Sequence, residues 1–315
     1  MELLSIIVPC FNEEAAVETF YAHTSAVCET LPEVRVEYIF VDDGSGDNTL
    51  PVLKKLAERD SAVRWLVLSR NFGKEAAMFA GLEHARGDYV AVMDADLQDP
   101  PELLPELLET VRSGEYDCAA VRRVDRKGEP PIRSWFARQF YRIINKMSKT
   151  EIVDGARDFR LMSRQMTDAI LRLTEYNRFS KGIFSWVGFR TRWVETENIE
   201  RSAGESKWSF FKLLVYALDG IIAFSTAPLA IASVLGLILC AVSFLAIVFV
   251  IIRQLVWGGS AFGWPSLVCI ILFLAGIQLF CIGILGQYLA KTYLEVKKRP
   301  IYILREQGGD PDEKP

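Results

Sequence analysis

Apolar runs alternate with segments of helical periodicity along the N-terminal part of the chain. Runs short enough to be buried strands lie at Leu3–Val8, Val36–Val41, Val63–Leu68, Tyr89–Met93 and Asp117–Val121. Helical periodicity follows the first four of them, through about Leu31 and at Pro51–Arg59, Glu75–Ala85 and Glu102–Ser113. This alternation predicts βαβ units with right-handed crossovers, and therefore an α/β fold built on a mainly parallel sheet.

Polar loops follow the predicted strands. They are Pro9–Glu13, Asp42–Thr49, Ser69–Lys74 and Asp94–Asp99. Ligands bind at the carboxyl ends of the strands in open α/β sheets, so we expect these loops to share one binding rim. The sequence has no Walker loop, and no GxGxxG motif follows the first strand. ATP hydrolysis and dinucleotide redox chemistry therefore lack their usual sequence signals.

The loop after the fourth predicted strand contains the strongest chemical signal. In an extended chain Asp94, Asp96 and Gln98 would project to one side and bring their oxygens together. Oxygen ligands suit Mg²⁺ or Mn²⁺, which keep bound waters and take further ligands from phosphates. The alternative for an isolated Asp-x-Asp is a solvated turn.

Three segments between the predicted sheet and the C-terminal part carry basic or polar residues. Ile132–Lys149 has an apolar and a cationic face, which predicts a helix at a membrane interface, with an ordinary surface helix as the alternative. Asp154–Met162 reads as a polar turn that enters a helix. The basic loop Asn198–Trp208 precedes a second candidate interfacial helix at Phe210–Phe224.

Two long uncharged segments follow. Pro228–Ile252 and Pro265–Leu289 each supply the roughly 20 apolar residues that a spanning helix needs. Basic residues flank the pair on its outer sides, whereas the connector Arg253–Trp264 has a single one. The positive-inside rule therefore predicts two spans with both termini in the cytoplasm. We expect disorder after Gln307.

The amino-acid composition argues for a membrane portion and against several classes of function. Half of the 315 residues are hydrophobic and the mean hydropathy is +0.17, as expected when a membrane portion is averaged with a water-soluble one. The net charge of −4 argues against a nucleic-acid partner. The six cysteines form no CxxC pair and there are only two histidines, which disfavours a disulfide framework or a zinc site.

Five features in this order match a known family. They are Ile6–Glu14, the Val41-Asp42-Asp43-Gly44-Ser45 motif, Asn71–Lys74, Asp94–Asp99 and the two C-terminal apolar segments. The chain resembles the family 2 glycosyltransferases that act on polyprenyl phosphates. It is most similar to bactoprenol glucosyltransferases and more distantly similar to dolichol-phosphate mannose synthase. The resemblance implies a GT-A catalytic domain, Rossmann-like with a mainly parallel sheet, and transfer of a hexose from a nucleotide sugar, most often UDP-linked.

The resemblance also implies roles for individual residues. Nucleotide-sugar contacts fall on Pro9, Asn12, Glu13, Asp43, Lys74, Asp94, Arg201 and Lys207. The metal and diphosphate would be bound by Asp94, Asp96 and Gln98, and catalysis would involve Asp96 and Asp158. The acceptor phosphate would contact Arg122 and Arg123. The alternatives are helix capping or packing for Lys74, and surface charges near anionic lipid for Arg122, Arg123 and Lys207.

The chain is expected to divide into a GT-A domain at 1–208, an interfacial helix at 209–226, a two-helix transmembrane domain at 227–290 and a cytoplasmic tail at 291–315. The expected partners are a nucleotide sugar, undecaprenyl phosphate, the bacterial inner membrane, and further copies of the chain in a homo-oligomer, with a tetramer suggested by close relatives. Transfer of another sugar, a processive polysaccharide synthase and a catalytically silent membrane anchor are the competing hypotheses. The synthase is disfavoured because Gln139-Phe140-Tyr141-Arg142 is followed by Ile143, so the Gln-x-x-Arg-Trp motif is missing.

Overall fold

A computed structural model describes residues 1–31, 33–124, 142, 145–146, 152–196, 221–222, 225–257 and 263–309. Arg201, Lys207 and most of the two predicted interfacial helices lie outside the described residues, so their predictions stand untested. The boundaries of the four predicted domains also remain a prediction.

The core of the protein is an eight-stranded sheet with the order β7-β5-β6-β4-β1-β2-β3-β8. The strands are β1 Glu2–Cys10, β2 Val34–Asp42, β3 Val63–Leu68, β4 Tyr89–Val92, β5 Cys118–Arg123, β6 Ala156–Ser163, β7 Thr191–Thr196 and β8 Leu304–Gly308. The pairings make β6 and β8 antiparallel to their neighbours, while the remaining strands run in one direction. The predicted mainly parallel sheet is confirmed.

Helices cover both faces of this sheet. They are α1 Val17–Cys28, α2 Thr49–Arg59, α3 Lys74–His84, α4 Leu104–Arg112, α5 Arg164–Leu171 and α6 Ser180–Trp186. One face packs against α1, α2 and α4, and the other packs against α3, α5 and α6. Successive residues of β1 point to opposite faces, with Ile6 in the first core and Ile7 in the second. Because both faces are buried, the central strands read in the sequence as continuous apolar runs.

The packing of α3 on β1 fixes the start of that helix at the rim of the sheet. A Cβ atom built on Gly81 would lie 2.2 Å from Cγ2 of Ile7. No larger residue fits at this point, so the helix approaches the strand as closely as a glycine permits. This close approach sets the position of Lys74, the first residue of α3.

One sequence prediction about secondary structure is corrected. Asp154–Met162 does not enter a helix, because Ala156–Ser163 forms β6 between β4 and β5, and the helix α5 begins only at Arg164. Hydrogen bonding to strands distant in sequence decides the local structure here. The strand β8, Leu304–Gly308 on the edge strand β3, was not predicted. Disorder after Gln307 stays a prediction, because residues 310–315 lie outside the described residues.

The C-terminal helices are α7 Ala227–Trp257 and α8 Trp264–Val296. Each contains a segment long and apolar enough to cross a membrane, Ala227–Ala246 and Phe273–Val296. With 31 and 33 residues, each helix is about 45–50 Å long at 1.5 Å per residue, which exceeds the hydrocarbon thickness of a bilayer. The C-terminal end of α8 contacts the segment before α6, because Glu295 accepts a hydrogen bond from the backbone N–H of Tyr176 at 2.9 Å.

Candidate active site

A lysine joins two loops at the rim of the sheet. The Nζ atom of Lys74 lies 2.7 Å from Oδ1 and 2.8 Å from Oδ2 of Asp94, which follows β4. The same ammonium donates a hydrogen bond to Oδ2 of Asp158 in β6. Because β6 is antiparallel to β4, its first residues lie at the edge where β4 ends. The structure thus brings together three residues that were selected from separate sequence motifs.

Burial and neighbouring charges shift the pKa values of Lys74, Asp94 and Asp158 in different directions. Burial opposes ionisation of Asp158, but the charge of Lys74 and then that of Lys181 outweigh it and lower the pKa of the carboxyl. For Asp94, burial is the largest effect and raises the pKa despite the contact with Lys74. Burial also opposes the charge of Lys74, yet Asp158 and Asp94 raise the pKa of the ammonium. Asp158 is therefore an ionised carboxylate at neutral pH and a weak base.

The loop after Asp94 does not continue the strand. β4 ends at Val92, and Leu97 adopts a left-handed backbone conformation with φ of 55°. The expectation that Asp94, Asp96 and Gln98 align through the two-residue period of an extended chain is therefore wrong. Oδ1 of Asp96 instead accepts the backbone N–H of Gln98 at 3.2 Å, as is common for Asp in turns.

Arg157 supports the same loop from the start of β6. Its Nη1 atom donates to Oε1 of Gln98 at 3.3 Å, and its Nε atom lies 3.3 Å from Oδ1 of Asp99. Asp99 is buried, and burial together with the neighbouring carboxylates raises its pKa to about 6 although Arg157 lowers it. No sequence motif points to Arg157. It stands next to Asp158 in a segment whose sequence predicts a turn, so its contact with the loop after β4 was not expected.

The donor atoms in this region fit a divalent cation only in part. Asp94, Asp96 and Gln98 supply hard oxygen ligands, and a surplus of carboxylates surrounds Lys74. Within the described ranges, however, no three His, Cys, Asp or Glu side chains form a group that could hold a metal. Gln98 contributes an amide oxygen. The residue types therefore fit an open Mg²⁺ or Mn²⁺ site, completed by water and phosphate oxygens, better than a closed protein cage.

The loops after β1 and β2 hold each other through side chains. Oδ1 of Asn12 accepts the backbone N–H of Gly46 at 2.9 Å, and the backbone N–H of Asn12 donates to Oγ of Ser45 at 2.9 Å. The backbone N–H of Glu13 donates to Oγ1 of Thr49. Pro9 lies in β1 beside these loops. Asn12 and Glu13, two of the residues predicted for the nucleotide, thus connect the loops after β1 and β2 into one wall of the rim.

Asp43 connects this wall to the lysine. Its two carboxylate oxygens accept the backbone N–H groups of Phe72 at 2.7 Å and Gly73 at 2.8 Å. Burial raises the pKa of Asp43 although these two hydrogen bonds lower it. Asp43 therefore fixes the turn that places Lys74 at the start of α3.

The predicted acceptor residues lie at the end of β5. Arg122 forms an exposed ion pair with Glu195 of β7. Arg123 follows it in the strand, and its backbone N–H donates to the carbonyl oxygen of Gly155. The role of these two arginines in binding the acceptor stays a prediction.

Comparison with known proteins identifies the family. The profile described as "Glycosyl transferase family 2" matches residues 5–171, which contain all four rim loops. This chain belongs to glycosyltransferase family 2. The predicted enzyme class and the GT-A type of fold are thereby confirmed, and the region matched includes Lys74, Asp94 and Asp158.

Relatives of this glycosyltransferase extend over nearly its whole length. It is 44% identical to "Prophage bactoprenol glucosyl transferase homolog" of Escherichia coli over 302 residues, covering 96% of this chain and 98% of the relative. It is 45% identical to "SfII prophage-derived bactoprenol glucosyl transferase" of Shigella flexneri, covering 98% and 99%. "Putative glycosyltransferase CsbB" of Bacillus subtilis is 41% identical, covering 96% and 92%.

Solved structures are more distant. Glucosyl-3-phosphoglycerate synthase from Mycobacterium tuberculosis is 19% identical with a TM-score of 0.47, covering 70% of this chain and 78% of that one. Mannosyl-3-phosphoglycerate synthase from Rubrobacter xylanophilus is 19% identical with a TM-score of 0.49, covering 70% and 73%.

Proposed function

We propose that this glycosyltransferase transfers glucose from UDP-glucose to a polyprenyl phosphate such as undecaprenyl phosphate. The observation that supports this most is the 44–45% identity to proteins named bactoprenol glucosyl transferases, which extends over the catalytic part and both long apolar helices. A lipid acceptor explains why one chain combines a nucleotide-sugar fold with helices long enough to cross a bilayer.

The nucleotide would lie along the wall formed by Pro9, Asn12 and Glu13, with Asp43 beside it. A bound Mg²⁺ or Mn²⁺ would be held by Asp94, Asp96 and Gln98 and would supply charge stabilisation for the diphosphate. Lys74 lies next to Asp94 and can place its ammonium beside the leaving phosphate, where negative charge grows in the transition state. Arg201 and Lys207 would add phosphate contacts.

The acceptor needs little help to become a nucleophile. A phosphate monoester has a second pKa near 6, so the lipid phosphate is largely dianionic at neutral pH. Because Lys74 and Lys181 lower the pKa of Asp158, this carboxylate would orient groups or balance charge at the anomeric carbon, and would remove a proton only from the monoanion. Direct attack on that carbon would invert its configuration.

The membrane arrangement follows from the same acceptor. The two C-terminal helices would cross the inner membrane of a bacterium with both termini and the sheet domain in the cytoplasm. The segments at 132–149 and 209–226 would lie at the interface, and Arg122 and Arg123 would contact the acceptor phosphate. The active form would be a homo-oligomer, such as a tetramer.

The test is a screen of radiolabelled nucleotide sugars with purified protein and undecaprenyl phosphate in detergent, with Mg²⁺, Mn²⁺ or EDTA. We expect label from UDP-glucose to enter the organic phase only with acceptor and metal present. Transfer from UDP-N-acetylglucosamine, UDP-galactose or GDP-mannose instead would overturn the choice of glucose. Product longer than one sugar would favour a processive synthase, and absence of UDP release with every donor would favour a silent anchor.

A further inference from the structure

Lys181 is a lysine at the edge of the site that no sequence motif singled out. It is the second residue of α6, and its side chain is partly buried. Within the part of the chain that the structure describes, no hydrogen bond or ion pair of its ammonium is found. The carboxylate on which its charge acts, Asp158, is already paired with Lys74. An anionic ligand would therefore give this partly buried ammonium a partner of its own.

The position of Lys181 relative to the active site is fixed by its neighbour. The backbone N–H of Ser180 donates to Oε2 of Glu75 at 3.0 Å, and the Ser180 hydroxyl donates to the same oxygen. Glu75 follows Lys74 in α3. The start of α6 is therefore attached to the start of α3. Among the cations that the structure describes, Lys181 lowers the pKa of Asp158 more than any except Lys74.

The segment before α6 is attached to the membrane helix. Oε1 of Glu295 in α8 accepts the backbone N–H groups of Tyr176 at 2.9 Å and Asn177 at 3.4 Å. The Nζ atom of Lys291, also in α8, donates to Oδ1 of Asn177 at 3.2 Å. The residues that contact the end of α8 thus lie only four and five positions before Lys181 in the sequence.

Two other cations near the site that the structure describes already have partners. Lys74 contacts Asp94 and Asp158, and Arg157 contacts Asp99 and Gln98. A dianionic phosphate that approaches Asp158 would be repelled by the surrounding carboxylates unless a further cation met it.

We propose that Lys181 binds the phosphate of the lipid acceptor and holds it beside Asp158, close to the segment that contacts α8. The inference rests on the proposed polyprenyl-phosphate acceptor and adds a residue that contacts it. The group that Lys181 would bind is a phosphate monoester dianion, and we assign it to the lipid acceptor.

The experiment measures steady-state kinetics of the full chain in neutral detergent, varying undecaprenyl phosphate and UDP-glucose separately. For Lys181→Ala we expect the KM for undecaprenyl phosphate to rise about tenfold or more, the loss expected for a hydrogen bond to a charged group. The KM for UDP-glucose should change less than about twofold, since that substrate would keep its contacts. Lys181→Arg keeps the charge and should recover most of the loss. Lys55→Ala, on the exposed face of α2, should match the wild type.

The outcomes separate this inference from the proposed function. If the wild-type protein transfers no sugar to undecaprenyl phosphate, the proposed function fails before Lys181 is tested. If transfer occurs and Lys181→Ala raises only the KM for UDP-glucose, the lysine binds the donor and the inference is wrong.

A lower kcat with a shifted pH profile and an unchanged acceptor KM would mean that Lys181 acts through Asp158 and does not bind the acceptor, which would also overturn the inference. An effect seen only in vesicles containing phosphatidylglycerol would assign the lysine to anionic headgroups. UDP binding by the variant serves as the check on folding.

Discussion

The Nζ atom of Lys74 lies 2.7 Å from Oδ1 of Asp94, although 20 residues separate the two in the chain. The same ammonium reaches Asp158, so a single lysine connects the loop after β4 with the start of β6. The lysine therefore offsets the repulsion between these two carboxylates. It also supplies positive charge where a diphosphate is proposed to leave.

Replacing Lys74 tests both roles. For Lys74→Met we expect kcat/KM to fall by about 10²-fold or more, as when a preorganised cation or hydrogen-bond donor is removed from a site of developing charge. Lys74→Arg keeps the charge but not the compact geometry, and should lose less. Steady-state transfer kinetics measure the effect, with Lys55→Ala as the control. Near-normal turnover of Lys74→Met would restrict this lysine to packing or capping.

Metal dependence can be separated from the role of Asp158. We expect EDTA to abolish transfer and Mn²⁺ to restore it, because a divalent cation offsets the charge of the departing diphosphate. Asp96→Ala should weaken binding of Mn²⁺ in the presence of UDP, as measured by titration calorimetry or electron paramagnetic resonance.

Asp158→Asn should leave that metal binding in place and lower kcat across the pH range, because the amide cannot balance charge at the anomeric carbon. Activity measured from pH 5.5 to 8.5 provides the comparison. If Asp158→Asn retains near-normal turnover at every pH while Asp96→Ala is inactive, the catalytic role of Asp158 is wrong.

Glu75 predicts a dependence of stability on pH. Burial raises the pKa of its carboxyl from 4.5 to about 7, although the hydrogen bonds from Ser180 oppose this. The folded protein therefore binds a proton more tightly than the unfolded chain does. The stabilisation is fully present below about pH 4.5 and is lost as the pH rises through about 7.

The Glu75→Gln variant removes this titration while keeping an oxygen that can accept from Ser180. We expect the wild type to lose on the order of 2 kcal/mol between pH 5 and pH 8 from this group, and the variant to lose less. Thermal unfolding in detergent at both pH values measures the difference. Glu58→Gln on the exposed face of α2 is the control. An equal pH response of wild type and Glu75→Gln would contradict the prediction.

The central sheet could be predicted from the sequence because its strands are buried on both faces. β3 was predicted with the bounds that the structure has, Val63–Leu68. Where a strand contains buried charge, the apolar pattern is lost. Arg160 of β6 is buried, yet its guanidinium stacks 3.7 Å from the centre of the Phe184 ring and donates to the carbonyl oxygen of Arg157 at 2.7 Å. Phe184 lies in α6, in another part of the fold, so the sequence pattern could not identify this strand.

The candidate site was predictable in its residue types and less so in its contacts. Asp94, Lys74 and Asp158 were each chosen from a separate motif, and the structure brings them together. The alignment of Asp96 and Gln98 was wrong because the chain turns at Leu97, where φ is 55°. Lys181 could not be recognised because its position depends on the contact of Ser180 with Glu75, between helices far apart in the sequence.

The strand β8 ties the chain that leaves the membrane helix to the edge of the sheet. The backbone N–H of Ser69 donates to the carbonyl oxygen of Ile303 at 2.8 Å, and Lys54 forms an ion pair with Glu306 at 2.9 Å. Exposed ion pairs contribute about 0–1 kcal/mol, so we expect backbone pairing and close packing to hold β8 in place. Gly309 after the strand has φ of 76°, and a Cβ atom there would lie 2.2 Å from the carbonyl oxygen of Val63.

Gly309→Ala therefore requires both a strained backbone and displacement of β3, and should destabilise the docking of β8 by about 1–3 kcal/mol. Hydrogen exchange of residues 300–309 and of β3 should accelerate, and proteolysis after α8 should become faster. Gly46→Ala is the matched control, because a Cβ atom there has nothing within 4 Å. Unchanged protection of both strands in Gly309→Ala would mean that β8 does not depend on this close approach. If exchange accelerates while glycosyl transfer is unaffected, β8 stabilises the sheet without positioning the loop Ser69–Lys74.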